Sequence, residues 1–200
     1  MEEKHVSGAT IRRLWSADRE AFRAHLLRLD PQSRHERFHG GTSDEFLSHY
    51  ADDCFRIGDV IFGAFVDGEL RGAGELRPNR TGTQIFPLVA GPRRAEAAFS
   101  VEHAYRRLGL GEALFARLVR AAGNHGVETI DLTCQADNKA MQNLARKFTA
   151  ELHFNADQIT GRLTARRPTP LSLWREASSD AGDFAVAMID RALSPRNLRP

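Results

Sequence analysis

The stretch most suited to chemistry in this 200-residue chain is Arg106-Arg107-Leu108-Gly109-Leu110-Gly111. It follows an apolar segment ending at Val101 and opens an amphipathic one. The first amides of a helix have no carbonyl partner within it, so they can receive an anion. Glycines let the backbone approach a phosphate with no Cβ in the way. Two arginines beside the turn add positive charge. The combination suits a pyrophosphate; a tight helix start is the plainer use of the same glycines. The Gly-x-x-x-x-Gly-Lys-[Ser/Thr] loop is absent, and the dinucleotide pattern Gly-x-Gly-x-x-Gly fails at Leu114.

A second short motif, His35-Glu36-Arg37-Phe38-His39, matches the zinc-protease pattern H-E-x-x-H. On a helix its two histidines would share one face, with the glutamate as base. Gly40-Gly41 follow at once, however, and Thr42 and Glu45 stand where the longer form needs Gly and His. Zinc hydrolysis is therefore the weakest reading, and no metal is expected. No Gly-x-Ser-x-Gly elbow occurs. The two cysteines, Cys54 and Cys134, exclude a disulfide scaffold and a Cys-rich metal site.

Hydrophobic periodicity supplies the elements that must hold these residues. A strand is predicted at Thr10–Leu14, then a helix capped by Ser16 and running to about Arg28, with Phe22, His25 and Leu26 on its buried face. Pro31 starts a short helix ended by Gly40-Gly41, and Thr42 or Ser43 caps another carrying Phe46, Leu47 and Tyr50. Val60–Val66 and Leu70–Leu76 flank Asp67-Gly68, a hairpin signal. Residues 78–82 read as loop. Glu96–Val101 is a strand, Gly109–Ala122 the clearest helix, Val127–Cys134 a buried strand and Asn138–Lys147 a helix. Leu152–Phe154 and Ile159–Leu163 close the sheet. After Arg166 the character changes. Pro168 and Pro170 precede an amphipathic stretch, Ala181–Leu193, with Phe184, Met188, Ile189 and Leu193 on the face expected to pack on the domain or on a second subunit. The fold class is thus α/β: a mixed sheet with helices packed on it. Residues 1–165 form the domain and 166–200 an appended tail.

Composition narrows the function classes. Hydrophobic residues make up 42% and the net charge is +2, so the chain reads as soluble, globular and too balanced for a nucleic-acid protein. No run approaches the roughly 20 apolar residues of a membrane span, and the polar start Met1-Glu2-Glu3-Lys4-His5 does not read as a signal peptide. A cytoplasmic location is expected. Of the 28 basic residues 25 are arginine, which fits phosphate recognition but equally a biased base composition.

Arg106-x-x-Gly109-x-Gly111 after a strand ending in Val101, with Asn138 downstream, resembles the acyl-CoA signature of the GNAT N-acetyltransferase superfamily. The layout agrees over roughly residues 10 to 165, most specifically from Glu96 to Lys147. The stretch Leu29-Asp30-Pro31-Gln32-Ser33-Arg34-His35-Glu36-Arg37-Phe38, with Ala95-Glu96-Ala97-Ala98, is similar to the protein-lysine acetyltransferase branch. The resemblance implies a mostly antiparallel sheet, splayed at the acyl-CoA site between the strands ending at Val101 and at Cys134, with helices on both faces. It implies acetyl-CoA as cosubstrate and an amine as acceptor. Ser100 and Val101 would pair with the pantetheine arm as an added strand. Arg106 and the amides of Arg107, Leu108, Gly109, Leu110 and Gly111 would cradle the pyrophosphate, and Asn138 would contact the arm near the thioester.

An amine attacks a thioester only when neutral, and alkylamines have a pKa of about 10.4, so a base is needed. The branch resemblance implies Glu96 in that role; pairing with Arg93 or Arg94 is its plainer use, and Glu75 is the second candidate base. A backbone N–H near Val101 would meet the oxyanion. The tyrosine that many family members use as general acid is replaced by Ala145. That substitution keeps a silent acyl-CoA sensor, or a pure interaction protein, as alternatives to an enzyme. The terminal helix leaves room for a homodimer.

Overall fold

The computed structural model describes residues 8–78, 94–148, 151–155, 158–165 and 167–193. Residues 79–82 of the expected loop, the acidic first residues and the Pro/Arg-rich end lie outside the described residues. Along the chain come β1 (Ala9–Arg13), a 3-10 turn (Ser16–Asp18), α1 (Arg19–Arg28), α2 (Pro31–Phe38), α3 (Asp44–Asp53), β2 (Val60–Val66), β3 (Glu69–Pro78) and β4 (Arg94–Val101). A second 3-10 turn (His103–Tyr105) leads to α4 (Leu110–Asn124), β5 (Thr129–Gln135), α5 (Lys139–Lys147), β6 (Glu151–Asn155), β7 (Gln158–Thr164) and α6 (Pro170–Leu193).

The strands form one sheet in the order β1-β2-β3-β4-β5-β7-β6. Every neighbouring pair is antiparallel except β4–β5, which is parallel. Asp67 and Gly68, at φ 51° and 77°, give the β2–β3 hairpin the left-handed turn that matches strand twist. Strand alternation sends Val60, Phe62, Ala97, Ile130 and Leu132 to one face, where α4 brings Leu114, Phe115 and Leu118. Ile61, Leu70 and Ala73 go to the other face, under Phe22 and Leu26 of α1 and Leu47 of α3. Gly74 of β3 sets how closely α4 lies on the sheet. A Cβ there would stand 3.1 Å from Leu118 Cδ1.

Two local expectations are corrected. Ser16 does not cap α1; it begins the 3-10 turn, and the carboxylate of Asp18 accepts the Trp15 N–H at 2.9 Å and pairs with Arg12 at 2.7 Å. The terminal helix starts at Pro170, not near Ala181, because proline is well suited to a first turn whose N–H needs no partner. Thr169 and Ser172 there exchange side-chain-to-backbone bonds of 2.9 and 3.1 Å. The docked face of α6 is also not the apolar one. Asp183 accepts the Arg13 N–H at 2.7 Å and pairs with Arg117 at 3.3 Å, and Asp180 pairs with the Arg13 side chain. Ala187 is buried, whereas Met188 and Ile189 are exposed and Phe184 is half-exposed, edge-on to Trp15. The side chain of Leu193 lies outside those described. No helix among the described residues is long and apolar enough to cross a membrane.

Candidate active site

The sheet opens beside β4. Among the described residues, β4 pairs with β5 only from Arg94↔Thr129 to Ala97↔Leu132. Beyond that, β5 continues against β7, so the β4 edge from Ala98 to Val101 has no strand on its β5 side. A groove of about 710 Å³ runs from this edge to the start of α4. Phe99, Val101, Tyr105 and Arg106–Arg107 line it on one side, and Asn138, Met141 and Leu144 on the other. At its inner end lies a cavity of about 70 Å³ bordered by Ala98, Ser100, Val101, Cys134 and Asn138.

The turn at the groove's far end has left-handed backbone at two positions. Arg107 and Gly109 hold φ of 62° and 90°, the left-handed twist that brings successive N–H groups to one side. Gly109 stands at the N-cap of α4 without a side-chain cap. The first helical bond is Ala113 N–H to the Gly109 carbonyl at 3.0 Å. The amides of Leu110 and Gly111 thus belong to the turn that has no internal acceptor. A Cβ at Gly111 would meet only Leu144 Cδ2, at 3.8 Å. Leu110 itself is buried and contributes backbone, and the Leu108 side chain points to solvent.

Arg106 is tied into the protein. Its guanidinium donates to the Val101 carbonyl at 3.3 Å, Ser33 Oγ at 2.8 Å and Glu36 Oε2 at 3.0 Å. It fastens α2 across the groove mouth. Asn138 caps α5, its Oδ1 accepting the Met141 N–H at 3.0 Å. Of the expected residues, Val101, Arg106, Arg107, Gly109, Leu110, Gly111 and Asn138 line this groove, Ser100 borders its inner cavity, and Leu108 faces solvent. Glu96 stands apart, exposed, between Arg77 and Asp131 in cross-strand register. It borders a separate cavity of about 570 Å³ with Tyr50, Asp53, Asp59, Arg77 and Thr133. Thr133 also lines the small inner cavity, so the two spaces adjoin there.

Glu75, the alternative base, is fully buried and saturated. Arg37 donates to Oε1 at 2.6 Å, and Tyr50 and Arg77 donate to Oε2 at 2.8 and 2.7 Å. Burial alone would push its carboxyl up. The Arg37 and Arg77 charges outweigh that and hold it below the usual carboxylate range, so it is a poor proton acceptor. Burial, reinforced by Glu75, raises Tyr50 and pushes the Cys54 thiol up to about 12. Burial also raises Cys134. Ala145 is packed in the α4-side core, so no hydroxyl is present at that position.

The zinc motif comes apart. α2 ends at Phe38, and His39 turns left-handed at φ 59° beyond it, while Glu36 is engaged by Gln32 and Arg106. Among the described residues, no group of three His, Cys, Asp or Glu side chains is placed to hold a metal ion. The Leu29–Phe38 motif instead builds the wall of the site. Asp30 caps α2 through Ser33 N–H at 2.9 Å, Ser33 meets Arg106, Arg37 reaches Glu75, and Phe38 stands edge-on to Tyr50.

Sequence reasoning missed a second buried carboxylate. Glu102 takes His25 Nδ1 at 3.2 Å, Arg28 Nε at 3.0 Å and Arg71 Nη1 at 3.0 Å, and His25 Nε2 lies 2.9 Å from Ser100 Oγ. Burial keeps His25 below its ordinary 6.5 despite Glu102. Its only signal in the sequence was a histidine at an apolar helix position.

The family model described as Acetyltransferase (GNAT) family matches residues 14–149. An acetyltransferase of Pseudomonas aeruginosa is 31% identical over 139 residues, 67% of this chain and 70% of that protein. The GNAT domain of S. lividans PAT has a similar structure, with TM-score 0.64 and 19% identity over 78% of this chain and 90% of that one. So does yncA of Salmonella typhimurium, solved with its cofactor acetyl-CoA, with TM-score 0.59 and 15% identity over 82% and 97% of the two chains. A fold shared with solved acetyltransferases, an opened β4–β5 edge and a family match spanning the groove lead to one conclusion: the chain belongs to the GNAT acetyltransferase family.

Proposed function

We propose that this protein moves the acetyl group of acetyl-CoA onto a primary amine of a protein lysine or small molecule, with Glu96 as general base. The observation that carries the reading is the unpaired β4 edge running straight into the left-handed turn at Arg107–Gly109. The edge suits a pantetheine arm bonded as an extra strand, and the turn's amides suit a pyrophosphate. Acetyl-CoA bound to yncA of the same fold supports that choice of donor. Domain residues 1–165 would carry the reaction and 166–200 the appended helix.

The chemistry needs a neutral amine beside the thioester. An acceptor entering the cavity bordered by Glu96 would meet that carboxylate beside Asp53 and Asp131, which are themselves paired with Arg56, Arg94 and Arg162. Glu96 would remove the proton directly or through one water. The oxyanion would face a backbone N–H near Val101. With Ala145 at the usual acid position, the thiolate takes its proton from water or leaves without one. The same alanine is the observation that favours a silent acyl-CoA sensor as the second reading.

An acceptor screen with purified protein and Glu96→Gln as control tests the proposal. Turnover with an amine, lowered about 10²–10⁴-fold in the variant at unchanged acetyl-CoA affinity, is the expected result. Equal rates in both proteins would remove Glu96 from the mechanism. Binding with no turnover on any amine would favour the sensor.

A further inference from the structure

The polar group at the inner end of the groove has the parts of an acyl-transfer relay. Ser100 Oγ, His25 Nε2, His25 Nδ1 and Glu102 Oε1 form one line, at 2.9 Å and 3.2 Å. His25 is completely buried, and Ser100 and Glu102 nearly so. Two arginines, Arg28 and Arg71, hold Glu102 in place. A carboxylate can only accept, so Glu102 fixes the proton of His25 on Nδ1. Nε2 is then left as a lone pair facing the serine hydroxyl. That is the tautomer in which a histidine takes a proton from a nucleophilic serine. Burial also disfavours the charged imidazolium, holding His25 below its ordinary 6.5.

The serine is placed to use it. Ser100 borders the cavity of about 70 Å³ at the groove's end. The cavity and the groove share Phe99, Val101 and Asn138. Glu96 borders the adjoining cavity rather than this one, the two meeting at Thr133.

We propose that Ser100, His25 and Glu102 form a nucleophile, base and orienting group that accept the acetyl group from the thioester, so that without an amine the protein hydrolyses its acyl donor. The inference rests on acetyl-CoA occupying the groove as read above. In the first half, the Ser100 Oγ–carbon bond forms and the carbon–sulfur bond breaks. The hydroxyl proton passes to His25 Nε2 and on to the departing thiolate, giving free CoA. In the second half, water adds to the acyl carbon, its proton passes through His25 to Ser100 Oγ, and acetate leaves. No oxidant or metal is required.

The test is acceptor-free incubation with acetyl-CoA, following free thiol release and intact mass, after calorimetry has measured acetyl-CoA binding. A parallel arm uses p-nitrophenyl acetate, which needs no CoA site. The expected result is thiol release above the buffer rate and an acetyl adduct on the peptide bearing Ser100. Ser100→Ala and His25→Asn should lower release about 10²–10⁴-fold. Ser100→Cys, which keeps a nucleophile at the same atom position and guards against a merely misfolded alanine variant, should still be acylated. Wild-type protein that binds acetyl-CoA but releases no thiol, or Ser100→Ala that matches it, overturns the proposal. Absent acetyl-CoA binding with Ser100 acylated by the nitrophenyl ester would fail the reading of the groove and keep the relay. No acylation by either reagent would fail the relay itself.

Discussion

The two faces of β4 are built on opposite principles. Toward α4, Ala95, Ala97, Phe99 and Val101 meet Leu114, Phe115 and Leu118 in a core without charge. Phe115 stacks edge-on with Phe99 at 5.2 Å and with Phe148 at 4.3 Å. Toward α1–α3, the same sheet carries Glu75 and Glu102, both buried, both ionised and both clasped by two arginines. The dry face holds α4 at a fixed height, and with it the turn at Gly109. The charged face fixes α1 and α2 against β3 and the end of β4. Ion pairs are costly to bury but tolerate only one geometry, which makes them suited to positioning. The difference teaches where the molecule is held by volume and where by direction.

The comparison can be broken most severely at Arg37. Arg37→Ala should cost about 3–5 kcal/mol in denaturant titration, because it strands Glu75 without one of its cations. Leu114→Ala on the other face should cost about 2–5 kcal/mol, and that loss should be the same at pH 5 and pH 8. The charged face should respond to pH. His25 sits below its ordinary 6.5, so the unfolded chain binds more protons and stability falls as pH drops from 6.5 toward the folded value. Glu75 and Glu102 sit below the usual 4.5, so their contribution is present above that pH and lost as pH falls through their folded values. Melting curves across pH 4–7 should show the earlier limb in wild type and not in His25→Asn. A smaller loss, about 1.5–3 kcal/mol, is expected for Tyr50→Phe, which removes one bond to the Glu75 carboxylate. Ser43→Ala, which deletes the cap on the Phe46 N–H, should cost about 0.5–2 kcal/mol and leave the site unaffected.

The same contrast explains what was legible in the sequence. Apolar periodicity gave β2 to the residue and α4 and α5 within two, because the dry face is specified by spacing alone. The Asp67-Gly68 and Gly109 turns were legible because left-handed backbone selects glycine and its neighbours. The Arg37–Glu75 and His25–Glu102 pairs were not, since partners 38 and 77 residues apart leave no local pattern. The proposed role of Glu96 rests on family resemblance alone; nothing in its own neighbourhood distinguishes it from a solvent-facing glutamate. The docked face of α6 was misread because a helix can also be held by carboxylates, here Asp180 and Asp183 meeting Arg13 and Arg117.

The central claim, that the groove from the β4 edge to the start of α4 is an acetyl-CoA site, is tested most directly by calorimetric titration. Wild type, Gly109→Trp and Gly111→Trp would be compared with acetyl-CoA and free CoA. Gly111 has helical backbone with only Leu144 near its Cβ, so its tryptophan variant fills the groove without straining the turn. Saturable binding of both ligands to wild type, abolished in both variants, is the result predicted. Binding that survives both substitutions would place the cofactor elsewhere and contradict the account.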